Sequence, residues 1–212
     1  NYSAINNFAV REAQGEYLLF LNNDVEIITE NWLEEMLQLC QQKDVGMVGA
    51  KLYYPDDTIQ HAGVVVGLGG VAAHVLCKLP RDAEGYMGRL RCVQEISAVT
   101  AACMMVKTSV FKAVGGFDEE LKVAFNDIDL CMKVRKYGVK IVFTPYAELY
   151  HYESKSRGME DTPEKQLRFS REVNCFRRKW ERELLKGDPY YNPNLTLNNT
   201  DCSLRKQEKN GD

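Results

Sequence analysis

The chain of 212 residues has no surplus of basic charge: 27 Lys and Arg stand against 30 Asp and Glu, a net charge of −3. With no basic field to hold a phosphate backbone, nucleic acid is excluded as the main partner. The sequence also lacks any apolar run near the roughly 18–20 residues needed to cross a bilayer. Its opening, NYSAINNFAV, lacks the basic-then-apolar order of a secretion signal, so neither a membrane span nor export is expected. CxxC pairs are missing too. The seven cysteines, at 40, 77, 92, 103, 131, 175 and 202, are irregularly spaced and mostly lie in apolar stretches such as AACMMV. This predicts reduced thiols in a cytoplasmic chain and disfavours a zinc site, toward which only His61, His74 and His151 could contribute imidazoles.

What is present is the composition of a folded domain, 45% hydrophobic and 27% charged, without detectable internal repeats. Ala4, Ile5, Phe8, Ala9 and Ala13 at helical spacing predict a first helix ended by Gly15, and EYLLFL predicts a buried strand ended by Asn22-Asn23-Asp24. A helix around Trp32–Cys40 and a second buried strand, VGMVGAKLYY, continue an α/β pattern. Residues 59–75 read as a small hairpin and 77–92 as a mobile loop. VQEISAV and ACMMVKT follow as strands, then helices over Ser109–Val114 and Asp127–Tyr137, with KIVFT and AELYHY as two last strands. Pro163 to Lys186 predicts one long helix carrying eight Lys or Arg against four Glu. Residues 187–212, rich in Asn, Pro, Lys and Asp, read as an extended or disordered tail after a domain of residues 1–186. Opening on Asn1 in mid-fold, the chain reads as a piece of a longer protein.

Three groups of residues are candidates for chemistry. Asn22-Asn23-Asp24 leaves the carboxyl end of a buried strand, where ligands sit in open α/β sheets; Asp24 there suits a divalent cation and Asn22 a sugar hydroxyl. The same tripeptide is also a good ordinary turn. Asn126-Asp127-Ile128-Asp129 opens a helix, where Asn126 and Asp129 suit a capping pair and Asp127, not needed for capping, suits a base. His151 leaves the strand AELYHY before Glu153, Ser154, Ser156, Arg157 and Gly158, either as a metal ligand with Arg157 on phosphate or as a structural histidine.

In order, GEYLLFLNNDVE, VTAACMMVKTSVFKAVGGFDEEL, FNDIDLCMKVRKYG and HYESKSRG resemble the family 2 glycosyltransferases with the GT-A fold, especially bacterial rhamnosyl- or galactosyl-type enzymes of surface polysaccharide synthesis. The resemblance covers about residues 1–185. It implies an α/β fold with a mixed, mostly parallel sheet flanked by helices. It implies Mn²⁺ or Mg²⁺ at Asp24 and His151, with Asn22, Asn23, Asp24 and Arg157 around the diphosphate of a UDP- or dTDP-sugar. Asp127 becomes the base of an inverting transfer, with Thr100, Gly116, Phe117, Asn126 and Asp129 on the acceptor side. The acceptor would be a hydroxyl of a saccharide or lipid-linked saccharide.

Two departures qualify the resemblance. Thr100-Ala101-Ala102 stands where many relatives have Thr-Gly-Ala, and the family's opening strands, which hold the base and ribose, would precede Asn1. The second motivates an alternative, a non-catalytic glycosyltransferase-like module for binding or assembly within a larger protein. A sugar nucleotidyltransferase would need a Gly-rich basic phosphate loop that the sequence does not show. The basic helix over 163–186 offers a peripheral contact with the inner face of a membrane, or else packs its apolar side on the sheet.

Overall fold

The computed structural model describes residues 1–153 and 162–206. Helix α1 (Tyr2–Glu12) is capped by the Asn1 side chain, which accepts from the Ala4 amide at 3.2 Å. Then come β1 (Tyr17–Leu21), β2 (Val25–Ile27), α2 (Trp32–Cys40), β3 (Val45–Tyr53), β4 (Ile59–His61), β5 (Val64–Val66) and β6 (Ala72–His74). A 3₁₀ turn over Tyr86–Arg91 leads to β7 (Gln94–Glu95), β8 (Cys103–Lys107), α3 (Thr108–Ala113), α4 (Asn126–Tyr137) and β9 (Lys140–His151). Helices α5 (Pro163–Lys179) and α6 (Glu181–Lys186) follow.

Seven strands form one sheet in the order β1-β8-β3-β9-β2, with β4 also on β3 and β7 also on β9; β5 and β6 make a separate hairpin. The sheet is mixed, as expected, but it is not mostly parallel: β3 and β9 are the parallel pair among the described strands. The cause is β8, which inserts between β1 and β3 and runs against both. Every residue of β3 is buried, and successive side chains go to opposite faces. Met47 joins the layer of α1, α3, α4 and α5, whereas Val48 joins Trp32, Met36 and Cys40 of α2. Each large apolar side chain so removed from water contributes about 1.5–3 kcal/mol. Gly49 is what lets the segment before β8 lie against β3, since a Cβ there would stand 2.3 Å from Val99 Cγ1.

Four local expectations change. KIVFT and AELYHY are one strand, because residues 144–147 stand opposite Ala50 alone and Pro145 falls in that bulge, where no ladder hydrogen bond is needed from it. Of VQEISAV only Gln94 and Glu95 form a strand. The long C-terminal helix breaks at Trp180 (φ −115°, ψ 22°), whose indole turns inward to donate to Asp129 Oδ1 at 2.8 Å. Residues 188–206 are irregular but packed: Tyr191, Leu195 and Cys202 are buried, and Leu195 bridges to Leu204.

Candidate active site

The pairing of β2 with the end of β9 brings the first and third candidate groups together. Val25 stands opposite His151, and the Tyr152 amide donates to the Asp24 carbonyl at 2.8 Å. Asp24 Oδ1 thereby lies 3.2 Å from His151 Nε2, with the two side chains 15% and 10% exposed. Asn22 joins them, its Nδ2 being 3.0 Å from the same Nε2, while its own amide donates to Ala102 O. Asn23 is exposed.

Gln60 of β4, not singled out in the sequence, decides the protonation of His151. Its Nε2 lies 3.2 Å from the His151 carbonyl, which can only accept, so the Gln60 amide nitrogen must face that carbonyl. Its Oε1 then accepts from His151 Nδ1 at 2.7 Å. Burial holds the imidazole's pKa below its usual value despite the opposing charges of Asp24 and Glu153, so the ring is neutral and Nδ1 carries its one proton. Nε2 therefore carries a lone pair, which accepts from Asn22 Nδ2 at 3.0 Å and leaves no proton for Asp24. Asp24 Oδ1, 3.2 Å from this ring nitrogen, is buried without a hydrogen-bond donor.

A chain of contacts runs on to Asp127. His74 Nδ1 donates to the Gln60 carbonyl at 3.0 Å and lies 3.1 Å from His61 Nδ1, and the Thr100 amide approaches His61 Nε2 at 3.4 Å. The next amide, of Ala101, donates to Asp127 Oδ2 at 3.2 Å, and the Ile128 amide donates to Oδ1 at 2.8 Å. Tyr2 donates to the Ala101 carbonyl at 3.2 Å; burial first, and the Asp127 charge second, push its phenol well above the usual range. Thr100 Oγ1 accepts from the Ala102 amide at 3.3 Å.

Asp127 is delivered by a constrained loop. Phe125 precedes the helix in the left-handed region (φ 61°), unusual for a bulky side chain, and its ring packs on Phe169 and Phe176 of α5. Glu172 of α5, 3% exposed, accepts from the amides of Lys122, Val123 and Ala124 at 2.9, 3.1 and 3.0 Å. The expected capping pair does not form. Asn126 donates to Val123 O, and Asp129, fully buried, is committed to Trp180, Lys179 and Lys133. Two other acceptor-side candidates also face elsewhere. Phe117 packs among Tyr2, Phe20 and Phe111, and a Cβ on Gly116 would meet Asn7 Oδ1 at 2.8 Å. Arg157 lies outside the described residues.

A model of a glycosyltransferase-like family matches residues 1–172. The chain belongs to that glycosyltransferase family. The chain is 57% identical over 205 residues to the uncharacterised protein y4gI of Sinorhizobium fredii, covering 96% of this chain and 22% of that protein. The O-antigen biosynthesis protein RfbC of Myxococcus xanthus is 42% identical over 213 residues, 100% of this chain and 16% of RfbC. The glycosyltransferase chain thus spans about a fifth or less of the length of these relatives. Among solved structures it is similar to GalNAc-T7 with UDP, GalNAc and Mn²⁺ (TM-score 0.61, 14% identity, 86% of this chain and 35% of that one). It is also similar to the mannosyltransferase PcManGT of Pyrobaculum calidifontis with GDP-Man and Mn²⁺ (TM-score 0.55, 16% identity, 85% and 43%). The fold is accordingly that of the GT-A glycosyltransferases.

Proposed function

We propose that this chain is the metal- and acceptor-handling part of an inverting glycosyltransferase that moves a sugar from a UDP- or dTDP-sugar to a hydroxyl of a saccharide or lipid-linked saccharide in surface polysaccharide synthesis. The observation that carries the reading is Asp24 Oδ1, a buried carboxylate oxygen without a hydrogen-bond donor, 3.2 Å from His151 Nε2. Such a pair is favourable with a cation beside it and unfavourable without one. Among the described residues no third His, Cys, Asp or Glu completes a cluster. A carboxylate and an imidazole fit Mn²⁺ or Mg²⁺ in a site that leaves positions for substrate phosphates and water. Bound there, the ion would offset the charge of the departing diphosphate.

The remaining chemistry belongs to the chain. Asp127, held by the Ala101 and Ile128 amides, takes the proton of the acceptor hydroxyl as its oxygen forms the new bond to the anomeric carbon. The bond to the diphosphate oxygen breaks on the opposite face and its electron pair leaves with the diphosphate. Gln60 keeps His151 in one tautomer, and Glu172 keeps the loop before Asp127 in one shape. The Mn²⁺ named with both solved neighbours, and the O-antigen role named for RfbC, support the metal and the polysaccharide setting.

The reading makes the domain cytoplasmic, and among the described residues no helix is long and apolar enough to cross a membrane. Leu167 and Phe169, exposed on basic α5, offer a contact with an anionic inner leaflet, which co-sedimentation with anionic vesicles at low salt tests. The deciding experiment is calorimetric titration of Mn²⁺, with and without UDP or dTDP, into this chain and into a version extended upstream. Binding that is lost in Asp24→Ala supports the transferase. No binding by either version favours a non-catalytic module.

A further inference from the structure

A cavity of about 320 Å³ borders His151. Its wall draws on Tyr54 at the end of β3, His74 and Cys77 around the end of β6, Thr100, Glu153 beyond β9, and Thr200 of the C-terminal segment. Two observations mark it as built. Leu76 and Lys78, on either side of Cys77, both hold positive φ (57° and 69°), a left-handed conformation that such side chains rarely adopt. Each is pinned: the Leu76 amide donates to Thr200 O at 2.6 Å and the Lys78 amide to Ile59 O at 2.8 Å. The other observation is the C-terminal segment itself, which lies beyond residues 1–172, the part matched by the family model. It is fastened along its length, by Val66 N to Asp188 Oδ2 and by Gly69 N to Leu197 O, both at 2.8 Å.

In a nucleotide-diphosphate sugar the ring is one bond from the diphosphate, so a diphosphate held at Asp24 and His151 leaves its sugar beside His151. The cavity is at that place, its volume lies at the lower end of the range for small-ligand pockets, and its hydroxyl, imidazole and carboxylate groups suit ring hydroxyls. We propose that the C-terminal segment closes this cavity into the seat of the donor's hexosyl ring, with Thr200, Glu153 and His74 discriminating among sugars. The inference rests on the transferase reading above.

Cys77 is a native reporter. It is half-buried in the wall, Cys92 is exposed outside it, and burial pushes Cys40 and Cys103 up to about 12, which keeps them slow. Alkylation by N-ethylmaleimide is followed by peptide mass spectrometry in the upstream-extended protein with Mn²⁺. The additions are UDP or dTDP against UDP-glucose, UDP-galactose, UDP-N-acetylglucosamine and dTDP-rhamnose. The expected result is that one nucleotide sugar, at ten times its Kd, slows Cys77 about tenfold relative to its own diphosphate while Cys92 is unchanged. Thr200→Trp, which fills the cavity, should weaken calorimetric binding of that sugar nucleotide and leave UDP or dTDP binding intact. Diphosphate binding with no added protection by any sugar, or equal binding of the sugar nucleotide by Thr200→Trp, overturns the seat and spares the transferase reading. No diphosphate binding overturns both.

Discussion

His151 Nε2 lies 3.2 Å from Asp24 Oδ1 and has no proton to give it, because Gln60 holds the ring's single proton on Nδ1 at 2.7 Å. One amide side chain on β4 thus sets the electrostatic character of a contact between the β1–β2 loop and the end of β9.

Asp24→Asn removes the negative charge while keeping the shape of the side chain. Mn²⁺ binding should disappear from calorimetry, whereas the thermal midpoint should hold or rise, since the substitution relieves a buried carboxylate oxygen that lacks a donor. A lowered midpoint with Mn²⁺ affinity retained would count against the metal assignment.

Gln60→Leu leaves Nδ1 without its acceptor and frees the ring to turn or change tautomer. Mn²⁺ affinity should fall about 10–100-fold. Gln60→Glu, which keeps an acceptor for Nδ1 but loses the donor to the His151 carbonyl, should recover only part of it at pH 7 in the same titration.

The parts of the candidate site legible in the sequence were those set by local chemistry. Asp24 and His151 could be found because each leaves an apolar strand at a polar segment, the place where open α/β sheets bind ligands. Gln60, His61 and His74 could not, because IQHAG reads as strand filling and its partners arrive only when β4 pairs with β3 beside β9. Asp129 reads as a capping partner, yet a buried tryptophan from a distant helix claims it. Glu172 looks like one more surface charge on a basic helix until α5 docks and three amides converge on it. KIVFT and AELYHY read as two strands, and only the bulge opposite Ala50 shows how one strand accommodates Pro145 between them.

His61 and His74 should make the fold sensitive to acid. Burial lowers both pKa values, that of His61 strongly, so the unfolded chain takes up their protons near pH 6.5 while the folded chain does not. Stability contributed by the neutral rings is therefore present above about pH 6.5 and lost as pH falls below it. Thermal midpoints from pH 8 to pH 5 should drop through that window, with a shallower slope in His61→Asn; an unchanged slope in that variant would refute the assignment.

Asp127→Asn should reduce sugar transfer by about 10²–10⁴-fold in the upstream-extended protein. Mn²⁺ and nucleotide binding, read by calorimetry, should stay near the original values. Parallel loss of both would assign Asp127 to binding instead.

Glu172→Ala strips three part-buried amides of their acceptor and should cost roughly 3 kcal/mol in urea unfolding. Because Phe125 depends on the same loop, Asp127 should lose its Ala101 contact as well, which amide exchange at Ala101 would register as reduced protection.

That clamp ties two fates together. The sheet has its own core in β3, β8 and β9, but the loop carrying Asp127 keeps its shape only while α5 is seated. Heat, or a protease acting on the C-terminal helix, should therefore silence transfer at a temperature where the sheet's circular dichroism is still native, so the enzyme's inactivation temperature reports the docking of one helix and not the melting of the domain.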